Sequence, residues 1–372
     1  MGGIEGMKKI ILLVLVLLFT VSSNSFATSI ESVDKQAATT TSIESVDAQA
    51  AAKKKQDIEI LKSRGITDDI LSKLNGMEDV VANLIQNEKV NDTQLKNFID
   101  GVMKPKKLVD IGKSKKIINN TVETNNGHKI AVPNPYSRRD VAKKNNNAFT
   151  SYSTSDGAMY VVESNYGYSK VSSSIVLPYV YQATDNDTPY VLSGIYTGSS
   201  GCDIGVYYEY GNWYTYVTMG GTNWGSDSGW YGGTTPINPS QHPTLYFVYR
   251  VSAADTVEIS IYDGYTYNII DGVNYYAPNR GFVTSGSGVY MTTGNSIAYY
   301  NPATADLTDG TIMSGANWNN TYIYNSSSAN LWTSGYTRTR AKWRTSDEQS
   351  TVSVSTSNYD YNYTVSINFN LP

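Results

Sequence analysis

From about Asn147 to its end, the chain is a series of short runs in which apolar and polar residues alternate, separated by Gly, Ser, Asn and Asp. The runs are rich in Val, Ile, Tyr and Thr, and they include SSSIVLPYVY, TLYFVYRV, TVEISIYDG, RTRAKWR, STVSVSTS and YNYTVSINF. A period of two residues is typical of strands with one buried face, and many short strands separated by turns indicate a sandwich or a barrel. We therefore predict that residues 148–372 form an all-β domain, a jelly-roll or concanavalin-like β-sandwich.

Composition separates this predicted domain from the residues before it. Thirty of the 31 tyrosines and all six tryptophans lie after position 147. Residues 148–372 hold 16 acidic and 7 basic residues, a net charge of -9, whereas residues 1–147 hold 17 and 22, a net charge of +5. Because the β domain is not basic, we expect no nucleic-acid partner.

The amino terminus has the pattern of a secretory signal. The stretch MKKIILLVLVLLFTVSSNSFA begins at Met7, an alternative start, with two lysines, an apolar core and a small-residue cleavage site. A membrane anchor is the alternative, but the apolar core is shorter than the roughly 20 residues that a spanning helix needs. We therefore predict a signal peptide over 1–27, a secreted protein that is extracellular or cell-wall associated, and no membrane contact after cleavage. The single cysteine, Cys202, excludes an intrachain disulfide.

Three segments separate the signal from the β domain. Residues 28–54 contain SIESVDKQAA and SIESVDAQAA, two copies at a 13-residue period, and two copies indicate a low-complexity linker rather than a solenoid. Residues 55–111 have short apolar faces at helical spacing, with Thr67 as a helix N-cap, and predict a small helical region that acts as a spacer or docking unit. Residues 112–147, rich in Asn and Lys, predict a flexible basic linker.

The stretch CDIGVYYEYGNWYTYV, which begins at Cys202, predicts a β-hairpin around a two-residue loop at Gly211 and Asn212. Alternation then places one set of side chains on the core face: Ile204, Val206, Tyr208, Tyr210, Trp213, Thr215, Val217 and Met219. The opposite face carries the candidate ligand-binding residues Asp203, Tyr207, Glu209, Tyr214 and Tyr216, with Thr218 beside them.

Tyrosine rings and carboxylates on one face are the groups that recognise sugars. Flat rings stack on the apolar faces of sugars, and carboxylates accept hydrogen bonds from hydroxyls and supply the acid and base of glycoside hydrolysis. This hypothesis requires Tyr207, Tyr214 and Tyr216 to be exposed. The alternative is an ordinary solvent face, since tyrosine has a high β propensity.

A second candidate set lies in the run RTRAKWR, where alternation places Arg338, Arg340, Lys342 and Arg344 on one side of a strand and the residues between them on the core side. These are four of the domain's seven basic residues. They predict either a site for an anionic polymer, bound through bidentate guanidinium contacts, or internal ion pairs with acidic residues on a neighbouring strand.

The segment SSSIVLPYVYQATDNDTPYVLSGIYTGSSGCDIGVYYEYGNWYTYV resembles the YrpD/YncM family of secreted proteins from Bacillus and its relatives, through its IVLP strand, TPY-x-x-SG, DIG-x-x-Y and a Trp strand. ADTVEISIY is similar to a later strand of that family. The resemblance covers roughly residues 155–300. It implies secretion and a β-sandwich, and it implies no particular activity.

We expect a secreted sandwich that binds a glycan or cell-wall polysaccharide. The first alternative is a polysaccharide hydrolase or lyase, in which Glu209 and Arg340 are the candidate catalytic residues. The second carboxylate of a hydrolase has to come from another strand, because Asp203 lies about 20 Å from Glu209 along the same strand. The second is a structural protein of the cell or spore surface. We predict no metal and no cofactor, since His128 and His242 lie far apart and no complete cation loop occurs.

Overall fold

The computed structural model describes residues 47–133, 150–153, 157–220, 228–299, 310–344 and 351–369, with the backbone alone at 150–153, 343–344 and 351. The predicted signal peptide and residues 28–46 of the predicted linker lie outside these ranges. The chain divides into two units, Met1–Lys55 and Gln56–Pro372. Within the described ranges, no helix has both the length and the apolar character to span a membrane.

Three of the helices occur where the three apolar faces predicted them, and a further helix begins at residue 47, within the segment 28–54 that was predicted as a linker. Helix α1 covers residues 47–63, and it is followed by α2 (Asp68–Lys73), α3 (Glu78–Asn83), a π-helical turn (Leu84–Glu88) and α4 (Asp92–Met103). Thr67 caps α2 by accepting a hydrogen bond from the backbone N–H of Ile70, as predicted. Asn91 and Gln94 form a capping box at the start of α4. Short 3₁₀ turns lie at Ile111–Lys113 and Ser334–Tyr336.

Two large sheets contain most of the strands. Sheet A has the order β1 (Lys107–Asp110), β14 (Ile269–Tyr276), β13 (Thr256–Asp263), β12 (Thr244–Ala253), β6 (Lys170–Val176), β16 (Ile312–Tyr324), β20 (Asn362–Asn368) and β19 (Thr351–Asn358), with β7 (Tyr179–Tyr181) and β17 (Ala329–Leu331) also paired to β16. Sheet B has the order β11 (Gly229–Gly232), β10 (Asn212–Gly220), β9 (Gly201–Glu209), β8 (Asp187–Tyr196), β15 (Tyr290–Tyr299), β5 (Gly157–Ser164), β18 (Thr337–Arg344) and β4 (Thr150–Ser153). A separate hairpin joins β2 (Thr121–Glu123) to β3 (Lys129–Ala131).

The inner faces of the two sheets share one buried core. Val162 and Val206 of sheet B belong to the same cluster as Phe247 and Trp318 of sheet A. The predicted all-β sandwich with a small helical region before it is confirmed. Cys202 is fully buried in this core, and burial raises the pKa of its thiol well above the ordinary value, as is typical of a structural rather than a reactive cysteine.

The helical region is not a separate spacer, because it packs on the outer face of sheet A. Phe98 of α4 is fully buried, and its ring lies 4.5 Å from that of Tyr262 and 6.0 Å from that of Tyr246, centroid to centroid. Val80, Val81, Leu84 and Leu95 belong to the same buried cluster. The apolar faces of short helices need a partner surface to be stable, and sheet A supplies it.

Buried ion pairs hold the helices to this sheet. Arg250 of β12 donates to the carbonyl of Asn75 at 2.6 Å and to Glu258 of β13 at 2.9 Å, and Lys106 lies 3.3 Å from the same carboxylate. Burial raises the pKa of Glu258, but the charges of Arg250 and Lys106 outweigh that effect and leave the pKa below its ordinary value. Lys170 likewise donates to Asp79, at 2.5 Å.

Residues 112–133, the first part of the predicted flexible linker, are folded. Ile117, Val122, Ile130 and Val132 are all buried, and they lie in a cluster with side chains of sheet B. The expectation of a linker here is wrong, because a few well-spaced aliphatic residues are enough to bind a short hairpin to an aromatic sheet face. Residues 134–149 of the predicted linker lie outside the described ranges.

Candidate functional site

The β9–β10 hairpin forms with the predicted faces but in a different register. Glu209 pairs with Asn212 and Tyr207 with Tyr214, so the loop is Tyr210–Gly211, one residue earlier than expected. Both loop residues have positive φ, +46° at Tyr210 and +88° at Gly211, which is the geometry of tight hairpin turns. The shift moves each pairing by two residues, and therefore leaves every side chain on the predicted face.

The large apolar side chains that were predicted on the core face of the hairpin lie there. Ile204, Val206, Trp213, Val217 and Met219 all lie in the cluster between the sheets. Tyr210 is the exception: it lies in the turn and is 55% exposed.

The opposite face is the outer face of sheet B, and its aromatic part is covered. Tyr207 and Tyr216 are fully buried and Tyr214 is half-buried. The side chains above them come from residues 115–133, which we call the cover segment. The prediction of open tyrosine rings at Tyr207 and Tyr216 is wrong, because the cover segment packs its aliphatic residues against them.

Glu209 is the polar contact between the cover segment and this face. Its carboxylate is 3% exposed. It accepts hydrogen bonds from the hydroxyl of Thr124 at 2.7 Å and from the amide of Asn126 at 2.6 Å, and Nδ1 of His128 lies 2.8 Å from Oε1. Three side chains of one turn therefore surround a single buried carboxylate, and each of them is a structural partner of Glu209.

The other half of the outer face is polar. Directly paired residues of neighbouring strands share a face, and the registers of six strands form one line across sheet B, here called the polar row: Thr339, Glu163, Thr292, Gly194, Asp203 and Thr218. All six residues are buried. A buried row with two carboxylates and three hydroxyls is unusual on a sheet face and marks a candidate site.

A continuous set of contacts joins the two carboxylates of the polar row. Arg338 donates to Glu163 at 3.0 Å, and its guanidinium lies 4.2 Å from the ring centroid of Tyr290. That ring stacks on Tyr196 at 5.2 Å and 17°, and the hydroxyl of Tyr196 donates to Asp203. Two stacked tyrosines and one guanidinium thus bridge Glu163 and Asp203 across the sheet.

Tyr166 provides an open ring beside this network. It is 52% exposed, and its ring lies edge-on to Tyr290 at 5.3 Å. Arg338 lies between the two rings, 5.2 Å from the centroid of Tyr166. Burial lowers the pKa of Arg338, but Glu163 and the two tyrosines raise it by more than burial lowers it. The pKa therefore lies above its ordinary value, and the guanidinium stays charged.

Several hydroxyls of this face lack partners within the described structure. Thr218, Thr292 and Thr339 of the polar row, and Ser296 on the same face of β15, have buried hydroxyl oxygens with no hydrogen-bond partner. A buried hydroxyl without a partner destabilises the folded protein by about 1–3 kcal/mol. Unpartnered groups also occur in the core between the sheets, for example at Trp213, so it is the clustering of four hydroxyls on one face that makes this surface a candidate place for a polar ligand.

The basic residues of β18 have partners inside the protein, and the predicted faces of this strand are wrong: Thr339 and Ala341 lie on the outer face of sheet B, whereas Arg340 and Lys342 reach residues of the β19–β20 hairpin. Arg340 binds both oxygens of Asp360, at 2.7 and 2.6 Å, and Lys342 donates to the carbonyl of Val352 at 2.7 Å. Together with the pair between Arg338 and Glu163, these contacts agree with the internal-pairing alternative and contradict an open anionic-polymer site. The side chain of Arg344 lies outside the described structure.

Sequence reasoning placed Asp203 on the correct face and missed its neighbours. Glu163 and Tyr290 come from strands that are remote in sequence, and only the order of sheet B brings them together, whereas Tyr196 ends the strand that directly precedes that of Asp203. A weak signal existed, since Glu163 is one of only four glutamates after residue 147. Within the described residues, no group of three or more His, Cys, Asp or Glu side chains is placed to hold a metal ion.

Comparison with known proteins gives remote structural neighbours. No family model matches the chain, and no curated protein matches it, so the resemblance to the YrpD/YncM family stays a prediction. A scytalido-glutamic peptidase with a transition-state analogue inhibitor is similar over 57% of this chain and 96% of its own, at 8% identity and a TM-score of 0.34.

Two glycan-active proteins are among the structural neighbours. An endo-acting O-glycanase of the human gut microbiota matches 38% of this chain and 52% of its own, at 13% identity and a TM-score of 0.26. A beta-porphyranase from the gut bacterium Bacteroides plebeius matches 40% and 54%, at 8% identity and a TM-score of 0.18. At these scores the likenesses carry no inference about activity.

Proposed function

We propose that the protein is a secreted glycan-binding sandwich that holds a polysaccharide or cell-wall glycan along the polar row of sheet B. The observation that carries this proposal is the row itself, in which carboxylates and unpartnered hydroxyls lie beside the open ring of Tyr166. Because the row residues are buried, a glycan reaches them only when the groups that cover them move aside. The predicted signal peptide supports a secreted location. The resemblance to YrpD/YncM proteins, which is carried by residues outside the signal peptide, is consistent with secretion.

The chemistry of the row fits a ligand rich in hydroxyl groups. Carboxylates accept hydrogen bonds from hydroxyls, and the threonine hydroxyls both donate and accept. The exposed ring of Tyr166 offers a flat surface on which the apolar face of a sugar can stack. Arg338 neutralises Glu163, whereas Tyr196 donates to Asp203 without neutralising it, so the row keeps one negative charge that accepts hydrogen bonds from the hydroxyls of a neutral glycan.

Binding is favoured over hydrolysis by the spacing of the two carboxylates. Glu163 and Asp203 lie on strands three positions apart in sheet B. At about 4.8 Å per strand spacing, their backbones are about 14 Å apart. Glycoside hydrolysis requires carboxyl groups about 5–9.5 Å apart, so the row has the groups to hold a sugar chain and lacks this pair geometry.

The test is retention of the purified full-length protein on a panel of insoluble polysaccharides and purified cell walls. We expect retention without release of reducing sugars. Tyr166→Ala should weaken retention about 5- to 150-fold if its ring stacks on a sugar, by analogy with the roughly 1–3 kcal/mol of base–aromatic stacking. Tyr265→Ala is the matched control, since Tyr265 is 62% exposed and lies next to sheet A.

The carboxylate is tested separately. Asp203→Asn keeps an acceptor for Tyr196 but removes the charge, and we expect retention to fall about 10-fold or more, since hydrogen bonds to charged groups contribute about 1.5–3 kcal/mol. Retention of the wild-type protein on no member of the panel, or equal retention by all three variants, would refute glycan binding at the polar row.

A further inference from the structure

The cover segment differs from the rest of the chain in how it is attached. Its two strands pair with each other and with neither large sheet. Besides aliphatic packing, it is held to sheet B by a bridge between Lys115 and Trp230 and by hydrogen bonds of Ala131 with Thr188 and Tyr190. It is therefore a small, locally folded element laid over one half of a sheet face.

The surface beneath the cover segment has polar atoms that it does not satisfy. The hydroxyl of Tyr207 and the indole N–H of Trp230 are buried without a partner, and their rings lie 5.6 Å apart. The ring of Tyr207 also stacks on Tyr214 at 5.6 Å and 29°. Buried Tyr and Trp usually find partners for these groups, and a polar occupant would satisfy two atoms that the aliphatic residues above them leave unpaired.

Two of the three groups that the cover segment presents to Glu209 have counterparts in a sugar, and the third, the imidazole of His128, does not. Thr124 presents a hydroxyl and Asn126 presents an amide N–H. A sugar hydroxyl and an acetamido group present the same donors to a carboxylate. Glu209 also lies on the same strand and the same face as Asp203 of the polar row, so the aromatic half and the polar row are one continuous surface.

We infer that the aromatic half, formed by Tyr207, Tyr214, Tyr216, Trp230 and Glu209, is a second glycan subsite that the cover segment occupies as an internal competitor. Its ligand class is an acetamido sugar chain, and this assignment rests on the proposed glycan binding at the polar row. Displacement of the cover segment extends the binding surface from the polar row to Glu209. While the cover segment stays in place, the apparent affinity is reduced by the small fraction of open molecules.

The test uses Asn126→Asp, which places a second carboxylate against Glu209 and removes one of its donors. Asn119→Asp is the matched control, because Asn119 is an exposed residue of the same segment. Hydrogen exchange of the backbone amides of residues 117–132 reports opening, and calorimetry with the N-acetylglucosamine hexasaccharide reports binding. In Asn126→Asp we expect exchange at least 10-fold faster and binding at least 5-fold tighter, with neither change in the control.

A second variant separates ligand binding from opening. Glu209→Gln weakens the contact with the cover segment but also removes the carboxylate that the ligand needs. We therefore expect faster exchange without tighter binding. Unchanged exchange in Asn126→Asp would overturn the role of Glu209 in holding the cover segment, and faster exchange with unchanged affinity would overturn the subsite.

Failure of this inference can be distinguished from failure of the proposed function. If the polar row binds no glycan, the wild-type protein is retained on no polysaccharide. If only the second subsite is absent, wild-type retention and its dependence on Tyr166 persist, and the gain in Asn126→Asp is missing.

Discussion

Replacement of Phe98 by alanine tests whether the helices and the sandwich fold as one unit. Phe98 is fully buried and contacts the rings of Tyr246, Tyr262 and Tyr267 of sheet A and its adjoining loop. Truncation of a buried phenylalanine destabilises a protein by about 3–5 kcal/mol. With a urea dependence of about 3 kcal/mol per molar, we expect the unfolding midpoint to fall by about 1–1.7 M.

Tryptophan fluorescence is the assay that makes this prediction decisive. All six tryptophans lie at or after position 213, within the β domain and none in the helices. A shift of the fluorescence transition in Phe98→Ala therefore means that the helices stabilise the sandwich. Lys96→Ala, at an exposed residue of the same helix, is the control and should change stability by a few tenths of a kcal/mol. An unchanged fluorescence midpoint in Phe98→Ala would refute the coupling.

Three further predictions concern stability. The lowered pKa of Glu258 keeps its carboxylate ionised in the folded protein at pH values where the same group is protonated in the unfolded chain. The stabilising effect of Glu258 is therefore present above about pH 4.3 and is lost as the pH falls through the folded pKa. Urea titrations from pH 6 to 3 should show a shallower loss of stability in Glu258→Gln than in the wild-type protein. Gly205→Ala places a Cβ 2.2 Å from a backbone carbonyl of β8, and thermal unfolding should show a loss of about 1–3 kcal/mol. Asp360→Asn breaks the bidentate pair with Arg340, and urea unfolding should show that the free energy of unfolding falls by about 3 kcal/mol. Adding Arg340→Lys to this variant should not restore the lost stability.

Alternation predicted the hairpin faces correctly because the side-chain period of a strand is independent of the turn. The register itself was wrong, since Tyr210 adopts a left-handed conformation that glycine or asparagine usually occupies. Turn preferences favour Gly211 and Asn212 as the loop and do not predict a tyrosine at a turn position with positive φ. The contacts of Tyr210 with His128, at 4.4 Å between ring centroids, help to compensate for that strain.

The cover segment was missed because its composition is that of a linker. Between residues 112 and 133 the buried apolar side chains are few and lie among asparagines and lysines. Their effect depends on the aromatic surface beneath them, which is formed by strands nearly one hundred residues later in the chain. The polar row was missed for a similar reason. The strands of Glu163 and Asp203 are separated in sheet B by β8 and β15, and β15 follows both residues in sequence.

Thr292→Val tests the central claim most directly. The hydroxyl of Thr292 lies in the middle of the polar row and has no partner within the described structure, so its replacement by a methyl group should leave the folded protein equally stable or more stable. If this hydroxyl binds a glycan, affinity for the best polysaccharide of the panel should fall about 3- to 10-fold, as expected for one hydrogen bond. Unchanged affinity of Thr292→Val would contradict glycan binding at the polar row, and a loss of stability would show that the hydroxyl has a structural partner instead.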